Sequence, residues 1–137
     1  MFGEMTKAMI LEAPNDEFKA RCILCDNAYH NLGVPQVGPM KEDLGRFYVT
    51  RREKDKGAFK TPTLRSITET APYMHDGVFK TLEEVTDFLD QGGGQKPNLS
   101  PMMKPLGLTQ QEKTDLIAFL KALTGEPITF KMPKLPK

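Results

Sequence analysis

The 137-residue chain is long enough for one domain, whose folding would bury roughly 70% of the surface that its unfolded chain exposes. Its formal net charge is +1 with both signs mixed along the chain, which argues against nucleic acid as the main partner, because no surplus of cations exists to displace counterions. No apolar run approaches the length of about 18 residues that a membrane-spanning helix needs.

Eleven prolines and eleven glycines interrupt regular structure throughout. The first segment with helical spacing is short: Met5, Ala8, Met9 and Leu11, stopped by Pro14. Glu4 and Glu12 make this stretch a poor secretory leader, so if the protein is exported its signal is expected to lie outside this chain. Residues 1–21 read as a linker or truncated start, with Asn15 or Asp16 capping a turn that leads through Phe18 and Ala20 to the cysteines. From Asn31 to Pro62 periodicity is absent, and four glycines and three prolines predict a long loop. The cations Arg51, Arg52, Lys54 and Lys56 in it are interleaved with Glu53 and Asp55, the pattern of a solvated loop.

Thr81-Leu82-Glu83-Glu84 is a capping box, and Leu82, Val85, Phe88 and Leu89 follow on one helical face until Gly92-Gly93-Gly94. A second loop, Gln91 to Gly107, again holds four glycines and three prolines. Thr109-Gln110-Gln111-Glu112 is a second capping box. Leu116, Phe119, Leu120 and Leu123 follow it, Gly125 ends the helix and Pro127 blocks its extension. The tail from Pro127 alternates Ile128, Phe130 and Met132 with polar residues and reads as an extended strap. The predicted core comprises Leu64, Ile67, Phe79, Leu82, Val85, Phe88, Leu116, Phe119, Leu120 and Leu123. Few short helices joined by long loops is the pattern of a small domain in which a large prosthetic group supplies much of the interior.

The only cysteines form Cys22-Ile23-Leu24-Cys25. Such a pair serves as a redox disulfide, as half of a zinc site, or as a haem attachment site when histidine follows directly. No βαβ pattern precedes it, which counts against the thioredoxin-like use. Cys22, Cys25, His30 and His75 form a possible Cys2His2 zinc set, although the 45 residues between the histidines match no zinc finger. Asp26 occupies the position where haem attachment needs histidine. From spacing alone, a disulfide or a pair of free thiols is the simplest reading.

Several longer motifs in order carry a resemblance: Gly57-Ala58-Phe59-Lys60-Thr61-Pro62-Thr63-Leu64-Arg65, then Thr70-Ala71-Pro72-Tyr73-Met74-His75-Asp76-Gly77, then Thr81 to Val85. Asn98-Leu99-Ser100-Pro101, Lys104 to Thr109 and Ala118 to Gly125 complete it. From about Cys22 to Pro136 the chain resembles the C-terminal haem domain of bacterial di-haem cytochrome c peroxidases and of the MauG-like enzymes that mature methylamine dehydrogenase. The resemblance implies an all-α, cytochrome-c-like domain spanning residues 1–137. It also implies a periplasmic location, a haem c tethered by Cys22 and Cys25, and a role in electron transfer. The family's reaction is the reduction of hydrogen peroxide by cytochrome c. This domain alone is not expected to catalyse it, because the peroxide site belongs to the N-terminal haem domain. That domain and a small redox protein acting as electron donor are the implied partners.

Two departures mark this sequence. Set against that family, the sequence looks as though several residues beginning with the axial histidine were removed between Cys25 and Asp26, and the resemblance puts the family's other axial ligand at Leu89. His30 and Met74 are the candidate substitute iron ligands. Their plainer roles are a hydrogen bond to backbone or a haem propionate for His30, and core packing for Met74. Arg65 is expected on a propionate or a surface carboxylate, and His75-Asp76-Gly77 in a turn with His75 on a propionate or a carbonyl. A calcium ion is implied at backbone carbonyls near Thr70 and Pro72. The competing readings are a haem-free derivative that serves as a binding or structural domain, and the small Cys/His zinc domain.

Overall fold

Two capping boxes determine where the longest helices begin. The Thr81 hydroxyl accepts from the Glu84 amide, the Glu84 carboxylate accepts from the Thr81 amide, and a helix runs from Leu82 to Asp90. Thr109 and Glu112 repeat the arrangement ahead of a helix from Gln110 to Ala122. In each, two amides that the helix itself leaves without acceptors are satisfied reciprocally. This computed structural model describes residues 28–38 and 42–126. The cysteine pair, the segment around Met5 to Leu11 and the tail from Pro127 lie outside the described residues.

In chain order the elements are β1 (Tyr29–His30), α1 (Phe47–Thr50), a 3-10 turn at Glu53–Asp55, β2 (Phe59–Lys60), a 3-10 turn at Ile67–Glu69, α2 (Leu82–Asp90) and α3 (Gln110–Ala122). The strands pair antiparallel, with Tyr29 opposite Lys60 and His30 opposite Phe59. The expected all-α class therefore holds only in part: the fold is mostly helical, with a two-stranded ribbon. Strands of two residues are too short to carry an alternating pattern, and their pairing is long-range, so neither left a signal in the sequence. The single turn of α1 likewise lies within a stretch read as loop.

α2 stops where Gly92 takes φ +88°, and the Gly92 and Gly93 amides donate back to the carbonyls of Leu89 and Phe88. Asp90 then fastens the returning loop: its carbonyl accepts from the Leu106 amide and its carboxylate from the Leu108 amide. Lys113 of α3 reaches both Asp87 and Asp90 at 2.8 Å, tying the two helices together. These bonds have an electrostatic signature. The Lys113 ammonium and then the Leu108 amide hold the Asp90 carboxyl below the usual carboxylate range. Asp87 and then Asp90 hold the Lys113 ammonium above the usual lysine range.

Leu82, Ile117 and Leu120 form the core cluster, with Leu64, Ile67, Tyr73, Leu116 and Leu123 packed around it. Two predicted details differ. Phe119 is 45% exposed, and Ile117, absent from the predicted core, is 8% exposed. The apolar stripe of α3 is wider than the face it buries, and packing against α2 selects the Ile117–Leu120 side. Thr86, also unpredicted, is buried because its hydroxyl donates to the Leu82 carbonyl one turn back. Among the described residues no large side chain is completely buried. Phe79 and Phe88, whose rings meet at 5.0 Å, are only half-buried.

Candidate functional site

The segment Tyr29-His30-Asn31-Leu32-Gly33 organises the region around β1. Asn31 is buried, and its side-chain amide donates to the carbonyls of Lys56 and Pro97 while its side-chain oxygen accepts from the Gly33 amide. Its backbone carbonyl accepts from the Ser100 amide at 2.9 Å. One asparagine thereby joins the loop before β2, the loop after α2 and its own turn. In the sequence Asn31 marks only the start of the long loop to Pro62. Its role depends on carbonyls distant in sequence, which leave no mark on the local pattern.

Next to this hub the glycine turn after α2 crosses the chain at Leu32–Gly33. The Gly94 amide donates to the Leu32 carbonyl. A Cβ on Gly33 would stand 2.6 Å from the Gly94 carbonyl oxygen, so backbone meets backbone without room for a side chain. A Cβ on Gly93 would stand 2.9 Å from the Met103 methyl. The turn and the following loop border an open groove at the C-terminal end of α2, lined by Gly92, Gly93, Gly94, Leu99, Met103 and Pro105 among others. Lys96 closes the loop onto β1's extension by donating to the Val34 carbonyl.

His30 contacts the loop that follows α2. Its Nδ1 and the Ser100 hydroxyl share a hydrogen bond at 3.3 Å, and the Met103 amide donates to the Ser100 carbonyl. The turn from Ser100 to Met103 therefore carries an imidazole contact at one end and a thioether at the other. His75 is exposed, and its ring stacks on Phe59 at 3.7 Å between centroids and 14° between planes. Among the described residues the contact of the His75 ring is this aromatic one. Phe59 is the cross-strand partner of His30, so both histidines neighbour one phenylalanine. The His75-Asp76-Gly77 turn forms as expected: Gly77 takes φ +70° and donates to Met74, and Asp76 accepts from the amides of Val78 and Val37.

Met74 is half-buried with φ +71°, at the start of that turn. Arg65 is exposed, with its amide donating to the Thr63 hydroxyl. Thr70 and Pro72 are exposed on the loop that holds the cis Ala71–Pro72 peptide. Beside them Tyr73 has its phenol pushed up by burial and by the nearby charges of Glu83 and Glu69. Leu89 is half-buried in α2. Among the described residues no cluster of three or more His, Cys, Asp or Glu side chains is arranged to hold a metal. The zinc set has Cys22 and Cys25 outside the described residues.

No protein-family model matches the chain. It is 50% identical over 111 residues to cytochrome-c peroxidase IdrP1 of Pseudomonas sp. (strain SCT), covering 79% of this chain and 29% of that protein. It is 39% identical over 127 residues to methylamine utilization protein MauG of Methylorubrum extorquens, covering 86% of this chain and 35% of that one. In structure it is similar to a MauG-like protein associated with microbial copper homeostasis, with a TM-score of 0.63 and 39% identity over 72% of this chain and 33% of that one. The chain spans about a third of the length of these relatives.

Proposed function

The chain belongs to the family of bacterial di-haem cytochrome c peroxidases and MauG-like proteins, and from that premise we propose that it is the family's C-terminal cytochrome-c-type domain, an electron-transfer module that binds a c-type haem. The observation that carries this reading is the likeness in both sequence and fold over most of the chain to one portion of its relatives. The described interior is consistent with it. Its aromatic and aliphatic side chains, among them Phe79, Phe88 and Leu89, stop at half-burial, which suits a second apolar surface packed against them.

In this proposal Cys22 and Cys25 hold the porphyrin through thioether bonds, His30 supplies an imidazole ligand and Arg65 meets a propionate. The bound haem supplies one-electron chemistry, with a potential set by its ligands and by exclusion of water. The chain's own part is to orient and to shield. The β1–β2 ribbon and Ser100 fix the His30 ring, Asn31 locks the loops around it, and α2 and α3 exclude water. Peroxide reduction by the whole protein needs the N-terminal haem domain, and electrons arrive from a small redox protein in the periplasm. No described helix is long and apolar enough to cross a membrane. The loop at Thr70 and Pro72, beside the carboxylates of Glu69 and Glu83, is the proposed calcium contribution.

Expression in the periplasm together with the haem-attachment machinery, followed by a pyridine haemochrome assay, tests the reading. One covalent haem per chain is the expected result. A specific observation favours a second reading: Asp26 replaces the attachment histidine and Leu89 stands at the other ligand position. A chain that folds without covalent haem would be a haem-free derivative, and the Cys22–Cys25 pair would then be a disulfide or a metal site.

A further inference from the structure

We infer that α1 and the turn after it form a docking face for a partner protein that presents carboxylates around an apolar centre. The face lies wholly within described residues and needs no haem.

In the sequence the cations and carboxylates of this stretch alternate, and folding sorts them. The Asp55 carboxylate turns inward, with 13% of its side chain exposed, and lies 3.7 Å from Arg46, whose guanidinium also covers the Tyr29 ring at 4.0 Å. Glu53 pairs with Lys56 at 2.8 Å. Both carboxylates that separate the cations in the sequence are thereby neutralised by other partners. Arg51, Arg52 and Lys54 remain exposed, and their charged groups form no ion pair among the described residues. Three cations within four residues thus reach solvent uncancelled.

Beside them α1 leaves Val49 86% exposed and Tyr48 50% exposed. The backbone under these side chains is fixed. Arg51 takes φ +57° and its amide donates to the Phe47 carbonyl, while the Arg52 amide donates to the Thr50 hydroxyl. The Asn98 side chain, from the loop after α2, donates to the Glu53 carbonyl. Left-handed backbone is a costly place for an arginine and is ordinarily given to glycine. A face ordered in advance loses little freedom on docking. Tyrosine and arginine around an exposed apolar side chain are the composition of a protein interface. Charge then selects the partner. From Glu42 to Lys56 five cations stand against four carboxylates, so a uniformly anionic surface such as a bilayer gains little. Three uncancelled cations on a fixed turn suit discrete carboxylates placed opposite them.

The test titrates the full nitrogen-15-labelled chain with two small folded probes, an acidic cupredoxin and a basic c-type cytochrome. The acidic probe is expected to shift the amide resonances of Tyr48 to Lys54, with Kd weakening about tenfold or more between low salt and about 0.15 M salt. The basic probe should leave those resonances in place. Arg51→Glu/Arg52→Glu should weaken binding about tenfold or more. Val49→Ser should weaken it without changing the salt dependence. Lys104→Glu/Lys121→Glu makes the same change of charge on exposed cations elsewhere and should stay within about threefold of wild type. Circular dichroism checks that every variant folds. Shifts confined to another part of the chain, equal weakening by the two double variants, or no binding of the acidic probe would overturn the assignment. Sedimentation with phosphatidylglycerol vesicles that Arg51→Glu/Arg52→Glu abolishes, without binding of the acidic probe, would assign the face to a membrane surface instead.

Discussion

At the residue scale Asn31 decides most. Its buried side-chain amide donates to two loop carbonyls in part-buried hydrogen bonds. Asn31→Ala leaves both acceptors without that donor, and a loss of about 2 kcal/mol in a guanidinium unfolding titration is expected. Asn31→Asp should cost more, because a carboxylate would face two carbonyl oxygens where an amide now donates. Equal stability of the wild type and both variants would remove the hub. The role of Asn31 was not visible in the sequence, where it marks only the start of the long loop that runs to Pro62. A side chain that bridges segments 25 and 66 residues away is defined by tertiary contacts alone. Phe119 and Ile117 exchanged roles for a related reason: periodicity identifies an apolar stripe, but only the neighbouring helix selects which edge of it is buried.

At the scale of the element, the two capping boxes were legible because all their atoms lie within four residues. Thr109→Ala should destabilise the protein by about 1 kcal/mol, and Thr109→Ser should recover most of that in the same urea titration. The clamp between α2 and α3 predicts a pH dependence. Asp90 is depressed in the folded state, so its contribution is complete above the ordinary carboxylate range and is lost as pH falls through its lowered value. Lys113 is raised, so its contribution is complete below the ordinary lysine range and is lost as pH rises through its raised value. Lys113→Met should therefore flatten the acid-side fall in Tm that wild type displays. Superimposable Tm–pH curves for the two proteins would show that the clamp does not couple the helices. Elements made of single turns or two-residue strands, α1, β1 and β2, escaped prediction because each is stabilised by its partner and not by its own sequence.

Over the whole molecule, local order and long-range order part company. The sequence by itself determined the two long helices, their caps, the glycine stop after α2, the turn at His75–Gly77 and, through several motifs in order, the family. Each of these is written in neighbouring residues, or in a string of motifs that needs no contact to be read. Only the tertiary structure decided that Tyr29–His30 pairs with Phe59–Lys60, that Gly33 and Gly94 cross without room for a side chain, that His75 stacks on an aromatic ring, and that Met103 shares a turn with the His30 contact. Those features depend on bringing together segments tens of residues apart. Their energies come from burial and from hydrogen bonds between loops, terms that exist only once the chain has folded and to which local propensity is blind.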